Sequence, residues 1–230
     1  MTAQTIKVIT DSVADVPDTL IKQWDIRVVP VYVNYNDRSY ADDGIEVNRE
    51  QFIRTMLNIN PPPTTAAMPP MVVQAFFERA LQEADHIIAV TTPAKLSGVY
   101  NAFRLAAEAT DPKRITLIDS GSLSMGIGLQ AVVAAEAAAQ TRSVKETIEA
   151  VQQAHKNTIL YAGLATLEQL RRSGRVSWAL ANIGALLQIK PVVRVDEGVV
   201  DAVDRVRTFR RMVDRMAEFA HKHAPYERVA

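Results

Sequence analysis

Short runs of β-branched residues alternate along the chain with longer segments of helical periodicity. Residues 6–10, 26–34, 86–91 and 115–118 have the composition of strands, and segments with apolar residues at helical spacing lie between them. Strands separated by helices favour a parallel sheet with helices packed on it. The order of these segments therefore predicts an α/β fold.

The expected helices cover residues 18–24, 49–57, 69–83, 97–109, 124–140 and 143–156. Between the second and third of them lies Pro61-Pro62-Pro63-Thr64-Thr65, which we expect to be a rigid loop because proline cannot continue a helix. A turn is expected at Asn36-Asp37.

The character of the sequence changes near residue 157. Beyond it we expect a strand over 158–162, helices over 164–173 and 176–187, a hairpin that turns at Glu197-Gly198, and a last helix over 208–223. The chain is therefore predicted to have two lobes. The N-terminal lobe, residues 1–157, has a mostly parallel sheet, and the C-terminal lobe, residues 158–230, is mixed α/β.

Charge and cysteine content exclude several classes of protein. Lys and Arg total 26 and Asp and Glu total 26, whereas proteins that bind nucleic acids or anionic membranes concentrate positive charge. The absence of cysteine excludes disulfides, thiolate metal sites and cysteine nucleophiles. With no secretory signal pattern and no apolar stretch long enough for a bilayer, we expect a cytoplasmic protein without stable membrane insertion.

Three predicted strands end in hydroxyl-rich loops that lead towards helices. The loops are Thr10-Asp11-Ser12, residues 91–98 and residues 119–122. In open parallel sheets, ligands bind beyond the carboxyl ends of the strands, where helix N-termini direct their positive ends. These loops are the first candidates for a ligand site.

Ser97-Gly98 lies at the predicted start of a helix, where a hydroxyl and backbone N–H groups can hold an anionic oxygen together. An ordinary helix cap also explains this serine, and from position alone capping is the better interpretation. Thr64 and Thr65 add two hydroxyls on a proline-stiffened segment. Ligand recognition and helix capping explain this pair equally well.

Asp11 and Asp119 each end a predicted strand. An aspartate there can act as a nucleophile or metal ligand, but more often it accepts backbone N–H groups. Residues 126–131 match a dinucleotide-binding pattern only weakly, the histidines lack a metal-ligand spacing, and Ser97 has no evident histidine and acid partners. A binding protein is the more economical interpretation. The alternative is a metal-dependent hydrolase or phosphotransferase that uses Asp11 or Asp119.

A set of arginines in the C-terminal part includes Arg175, just after Gly174, and Arg205 and Arg207 near the end of the hairpin. These arginines can form a docking patch for an acidic partner or belong to a solvated face, and the solvated face is the simpler interpretation. A module that binds a partner without any ligand is a third possibility.

Taken in order along nearly the whole chain, several short motifs resemble those of the DegV family of fatty-acid-binding proteins. These motifs are residues 10–17, Val29-Pro30-Val31, Pro63-Thr64-Thr65, residues 96–100, Ile118-Asp119-Ser120, residues 174–177, Ile189-Lys190-Pro191 and Arg205-Val206-Arg207. Each motif alone is weak, and their shared order makes the resemblance specific.

The resemblance implies a carrier that is not itself an enzyme and needs no cofactor. Such a carrier holds one long-chain fatty acid between its two lobes and presents the carboxylate to a separate fatty acid kinase. By resemblance, Thr64 and Ser97 bind the carboxylate, and Thr65 stands where the family usually has serine. From their places in the loops at the strand ends, we expect Gly98 and Ser12 to belong to the same site. Arg175 and Arg207 match arginines at the surface that meets the kinase.

Three features depart from the family pattern. Thr65-Ala66-Ala67-Met68 stands where the family usually has Ser-Gln-Pro-Ser, and Val99 replaces a common threonine. The family also continues for about fifty residues past the position of Ala230, with a histidine beside a Gly-Pro-Gly loop, so we expect an incomplete C-terminal lobe with exposed strand edges.

Overall fold

The computed structural model of the chain describes residues 4–176 and 189–230. The chain divides into two compact units, Met1–Thr158 and Ile159–Ala230. The apolar helix expected over residues 176–187 lies, apart from Val176, outside the described residues. In the described parts, no helix combines the length and the apolar character needed to cross a bilayer.

Most elements of the first unit lie where the sequence pattern predicts a strand or a helix. Its strands are β1 (Ile6–Asp11), β2 (Arg27–Val29), β3 (Tyr32–Tyr35), β4 (Arg38–Ala41), β5 (Thr64–Ala66), β6 (His86–Thr91) and β7 (Ile115–Asp119). Its helices are α1 (Asp18–Trp24), α2 (Arg49–Thr55), α3 (Pro70–Glu83), α4 (Val99–Thr110), α5 (Met125–Thr141) and α6 (Val144–Asn157).

A four-stranded parallel sheet forms the centre of this unit, with strand order β2-β1-β6-β7. The strand that follows β1 along the chain lies on one side of it, and β6 lies on the other. The connection after β1 therefore runs to one side of the sheet, and the connection after β6 runs to the other. The carboxyl ends of these two strands thus form a topological switch point.

The two central strands are buried on both faces because helices cover both. Alternate residues of β1 and β6, such as Ile9 and Ile87, pack with α3 and α4, where Phe77 and Phe103 meet edge to face with ring centroids 5.7 Å apart. The opposite face packs against α5 and α6. This double burial fixes the carboxyl ends of the strands and the loops that begin there.

A second, antiparallel sheet of the first unit has strand order β4-β3-β5. The prediction of one strand over residues 26–34 was wrong, because Pro30 has no N–H to continue a ladder and separates β2 from β3. The turn at Asn36-Asp37 is confirmed, with both residues at positive φ.

The assignment of Thr64 and Thr65 to a loop was also wrong. Thr64 pairs with Asn34 and Thr65 with Val33, so both belong to β5. Several predicted helix ends shift by a few residues. The second helix ends at Thr55 and continues as a 3₁₀ turn over Met56–Asn58, and α4 begins at Val99 rather than at residue 97.

The second unit contains β8 (Leu160–Gly163), β9 (Lys190–Asp196) and β10 (Val199–Val206) in an antiparallel sheet of order β10-β9-β8. It also contains α7 (Glu168–Ser173), shorter than predicted, and α8 (Phe209–Lys222). The predicted hairpin turn is confirmed, with Glu197 and Gly198 at φ of 47° and 69°. Tyr161 of β8 stacks on Phe219 of α8, with ring centroids 5.0 Å apart. One parallel and two antiparallel sheets with packed helices confirm the α/β class.

Candidate ligand-binding site

Asp11, at the carboxyl end of β1, holds the start of the loop that follows β6. Its carboxylate accepts hydrogen bonds from the Thr92 backbone N–H at 2.7 Å, the Thr92 hydroxyl at 2.8 Å and the Val13 N–H at 3.1 Å. The side chain is fully buried. Burial raises the pKa of Asp11, and the hydrogen bonds from Thr92 and Val13 partly offset this rise.

Asp119, at the end of β7, holds the same loop from the other side. One of its carboxylate oxygens accepts the Ala94 N–H at 3.0 Å, and the other accepts the Gly121 N–H at 3.0 Å. Both aspartates therefore use their oxygens to position backbone. The described residues also contain no group of three or more His, Asp or Glu side chains that could hold a metal ion.

The loop held by these two carboxylates leads into the first turn of α4. The Pro93 carbonyl accepts the N–H groups of Leu96 and Ser97 at 3.0 and 3.1 Å. The Ser97 hydroxyl oxygen accepts the Val99 N–H at 3.3 Å. The N-cap residue of α4 is Gly98, and no side chain caps the helix. The bond from Val99 uses the Ser97 hydroxyl as an acceptor, which leaves its proton to be donated to an anion.

The structure brings β5 next to this helix start. If Gly98 carried a Cβ atom, it would lie 3.6 Å from the Cβ of Ala67, the residue that follows β5. Thr64 and Thr65 are both exposed. Because neighbouring residues of a strand point to opposite faces, only one of the two hydroxyls can face a given ligand.

Ser12 lies behind this surface. It is 3% exposed, and its hydroxyl accepts the Val31 N–H at 3.0 Å. Ser12 therefore holds the junction between β2 and β3, and its place in the ligand site stays a prediction.

The two predicted docking arginines belong to the second unit. Arg175 follows Gly174, which ends α7 with a φ of 66°, and Arg207 follows the last residue of β10. Both side chains are exposed.

Sequence reasoning missed Arg49, the first residue of α2. Its guanidinium contacts the loop after β1 and the loop after β4. No local motif signals this role, because its partners lie 7, 34 and 37 positions away along the chain.

An open cavity of about 540 Å³ lies elsewhere in the first unit, at the start of α6, lined by Gln4 and residues between 143 and 152. It shares no residue with the loops at the carboxyl end of the parallel sheet. Its position gives no support to those loops as a ligand site, and their candidacy rests on the hydrogen-bond geometry.

The fold and the site together define an α/β protein with a hydroxyl-bearing candidate anion site at the carboxyl edge of a parallel sheet. A family model described as "Uncharacterised protein, DegV family" matches residues 5–230. The chain therefore belongs to the DegV family, which confirms the resemblance of its motifs.

Similar proteins include a DegV domain-containing protein of Caldanaerobacter subterraneus, 31% identical over 208 residues, which cover 90% of this chain and 74% of the relative. A DegV domain-containing protein of Mycobacterium bovis is 33% identical over 220 residues, covering 93% of this chain and 76% of the relative.

Two solved structures share the fold. One concerns fatty acid binding of a DegV family protein from Thermus thermophilus, with a TM-score of 0.85 and 31% identity, covering 95% of this chain and 78% of that one. The other is DegV, a fatty acid binding protein from Bacillus subtilis, with a TM-score of 0.81 and 27% identity, again covering 95% and 78%.

Proposed function

We propose that this protein is a non-catalytic carrier that binds a long-chain fatty acid and holds its carboxylate at the start of α4. The observation that carries the proposal is the approach of Gly98, at the start of α4, to Ala67, the residue that follows β5. It supports a site that draws on the Ser97 hydroxyl and on one threonine of β5. The similar proteins from Thermus thermophilus and Bacillus subtilis, described as binding fatty acids, support the ligand class.

The electrostatics of a helix start suit a carboxylate. The first N–H groups of α4 have no partners one turn earlier in the helix, and the helix dipole places partial positive charge there. Ser97 adds a hydroxyl donor, and one of Thr64 and Thr65 adds a second. Hydrogen bonds to the ionised form favour it, and without a salt bridge the carboxylate can still be released.

The surroundings of this anion site are apolar. Ala67 and Met68, which follow β5, pack in the same core cluster as Val99, the first residue of α4. An acyl chain contributes most of the affinity in such a setting, because each buried methylene is worth about 0.8 kcal/mol.

The test compares two serines at helix starts, each of which accepts one backbone N–H. The Ser97 hydroxyl accepts the Val99 N–H at the start of α4, and Ser143 caps α6, where its hydroxyl accepts the Glu146 N–H at 3.4 Å. Replacing either with alanine removes one hydrogen bond worth about 1 kcal/mol of stability. Only Ser97→Ala should also weaken fatty acid binding, by about 1–3 kcal/mol, as measured by calorimetric titration.

Mass spectrometry of the natively purified protein should find a bound long-chain acid. A protein that neither carries such an acid nor binds one on titration would overturn the proposal. Equal affinities in the wild type, Ser97→Ala and Ser143→Ala would restrict Ser97 to its hydrogen bond with the Val99 N–H.

The proposal extends to a partner, a fatty acid kinase that phosphorylates the bound acid and docks on a surface containing Arg175 and Arg207. The exposure of both side chains and the family resemblance support this step. It fails if a loaded double variant, Arg175→Ala with Arg207→Ala, is phosphorylated by such a kinase at the wild-type rate.

A further inference from the structure

Arg49 joins three segments of the first unit through four hydrogen bonds. Its Nε and one terminal nitrogen donate to the two carboxylate oxygens of Asp42, each at 2.8 Å. The same terminal nitrogen donates to the Ser12 carbonyl at 2.9 Å, and the other donates to Asp15 at 3.1 Å.

These partners lie in the segments that directly follow a strand of each sheet. Asp42 directly follows β4 of the antiparallel sheet, whereas Ser12 and Asp15 belong to the segment that leaves β1 of the parallel sheet. Asp15 also accepts the Ser124 hydroxyl at 2.7 Å, just before α5. Arg49 therefore links the end of β4, in the antiparallel sheet, to the carboxyl edge of the parallel sheet.

The junction between the two sheets is held by the same residues. The Val31 N–H donates to the Ser12 hydroxyl at 3.0 Å, and the Val31 carbonyl accepts the Asp42 N–H at 2.8 Å. The chain enters β3 immediately after Val31, and β3 pairs directly with β5.

We propose that Arg49 is a positioning residue that fixes β5, with Thr64 and Thr65, against the start of α4 by locking Asp42 to Ser12 and Asp15. The inference rests on the proposed function for its consequence in binding. Its structural part, the immobilisation of β5, stands on the contacts alone.

An arginine is required here by geometry. The paired bonds to Asp42 need two parallel N–H groups in one plane, and the remaining bonds need donors that point to other segments at the same time. Lysine has the charge but not the planar fork. The hydrogen bond to Asp42 raises the pKa of Arg49, which agrees with a charge held by acidic partners.

The first experiment is hydrogen exchange on the unliganded full chain. Arg49→Ala should speed exchange of the β3 and β5 amides about tenfold while leaving β6 and β7 unchanged, because local opening separates the two sheets. Arg49→Lys should give an intermediate effect and serves if the alanine variant does not fold. Arg54→Ala is the matched control, since Arg54 lies on the same helix and pairs only with Glu50 in the described contacts.

The second experiment compares a long-chain fatty acid with the alcohol of the same length. Arg49→Ala should weaken binding of the acid about fivefold to tenfold and leave the alcohol unchanged, because only the acid uses the carboxylate donors. General destabilisation of the protein would weaken the binding of both ligands alike.

The positioning role is overturned if the β5 amides of Arg49→Ala and Arg49→Lys exchange at the wild-type rate. It is also overturned if Arg49→Ala loses affinity for the acid and the alcohol equally. A wild-type protein that binds no fatty acid overturns the proposed function instead, while the exchange experiment still decides whether Arg49 immobilises β5.

Discussion

At the scale of single residues, Asp11 shows how the site is held together at an energetic cost. Its buried carboxylate positions Thr92, and burial raises its pKa above the ordinary value of 3.8. A carboxyl group with a raised pKa in the folded state binds a proton more tightly folded than unfolded. Its ionisation therefore lowers stability as pH rises from 3.8 through the folded pKa.

We predict that the stability of the wild type relative to an Asp11→Asn variant falls as pH rises across this window. The measurement is urea unfolding of both proteins at several pH values from about 4 to 7. Thr92→Val removes a hydroxyl donor that lowers the pKa of Asp11, so it should extend the fall to higher pH. Parallel pH profiles for wild type and Asp11→Asn would contradict the prediction.

How much of the site the sequence can predict also depends on single residues. Ser97 and the aspartates follow predicted strands, and the carboxyl-edge rule for parallel sheets draws attention to them. Arg49 carries no such signal, because its partners are distant in sequence and their meeting depends on the second sheet. The burial of Ser12 was missed for the same reason: Val31 leaves the parallel sheet only because the strand breaks at Pro30.

At the scale of elements, α5 lies unusually close to the segment after β1 because Gly128 has no side chain. A Cβ atom there would lie 2.6 Å from the Ala14 carbonyl oxygen and 3.3 Å from a methyl group of Val16. The backbone oxygen cannot move aside without displacing the turn. Gly128→Ala should therefore lower the free energy of unfolding by about 1–3 kcal/mol, even though alanine favours helices.

Gly163 provides the matched comparison. A Cβ there would also lie 2.6 Å from its nearest neighbour, but that neighbour is the sulfur of Met216, and the next atoms belong to Met212. Methionine side chains adjust readily, so Gly163→Ala should lower the free energy of unfolding by less than about 1 kcal/mol. The measurement is denaturant unfolding of both variants. Equal losses in their free energy of unfolding would show that closeness to a backbone atom does not decide the cost of the added Cβ.

The elements also show which part of the fold the sequence predicts. Helix and strand periodicity is local, and α1, β1 and β6 lie within one residue of their predicted bounds. Pairing is not local. The split at Pro30 reflects a change from parallel to antiparallel partners, and β5, a three-residue strand, exists because β3 offers its edge. Neither partner can be read from the segment itself.

At the scale of the whole molecule, the first unit contains a complete core of its own. All members of its two apolar clusters lie between Ile6 and Val151. A chain of this size buries roughly 68–70% of its unfolded surface, which suffices for independent folding. We therefore predict that a fragment of residues 1–158 folds and unfolds in one cooperative transition.

Tryptophan fluorescence gives a direct measurement, because Trp24 is the only tryptophan of the fragment and packs against one of the two clusters. Its unfolding curve should coincide with that from far-UV circular dichroism. A compact fragment with native-like secondary structure, no fixed tertiary signal and strong dye binding would be a molten globule and would contradict the prediction.

The same fragment separates recognition of the carboxylate from total affinity. Ser97, Thr64, Thr65 and Arg49 all precede Thr158, so the ratio of affinities for a fatty acid and its matched alcohol should equal that of the full chain, whatever the absolute affinities. Calorimetric titration of both proteins with both ligands measures this ratio. A fragment that folds but has lost the preference for the acid would show that residues beyond Thr158 recognise the carboxylate, and would move the anion site away from the start of α4.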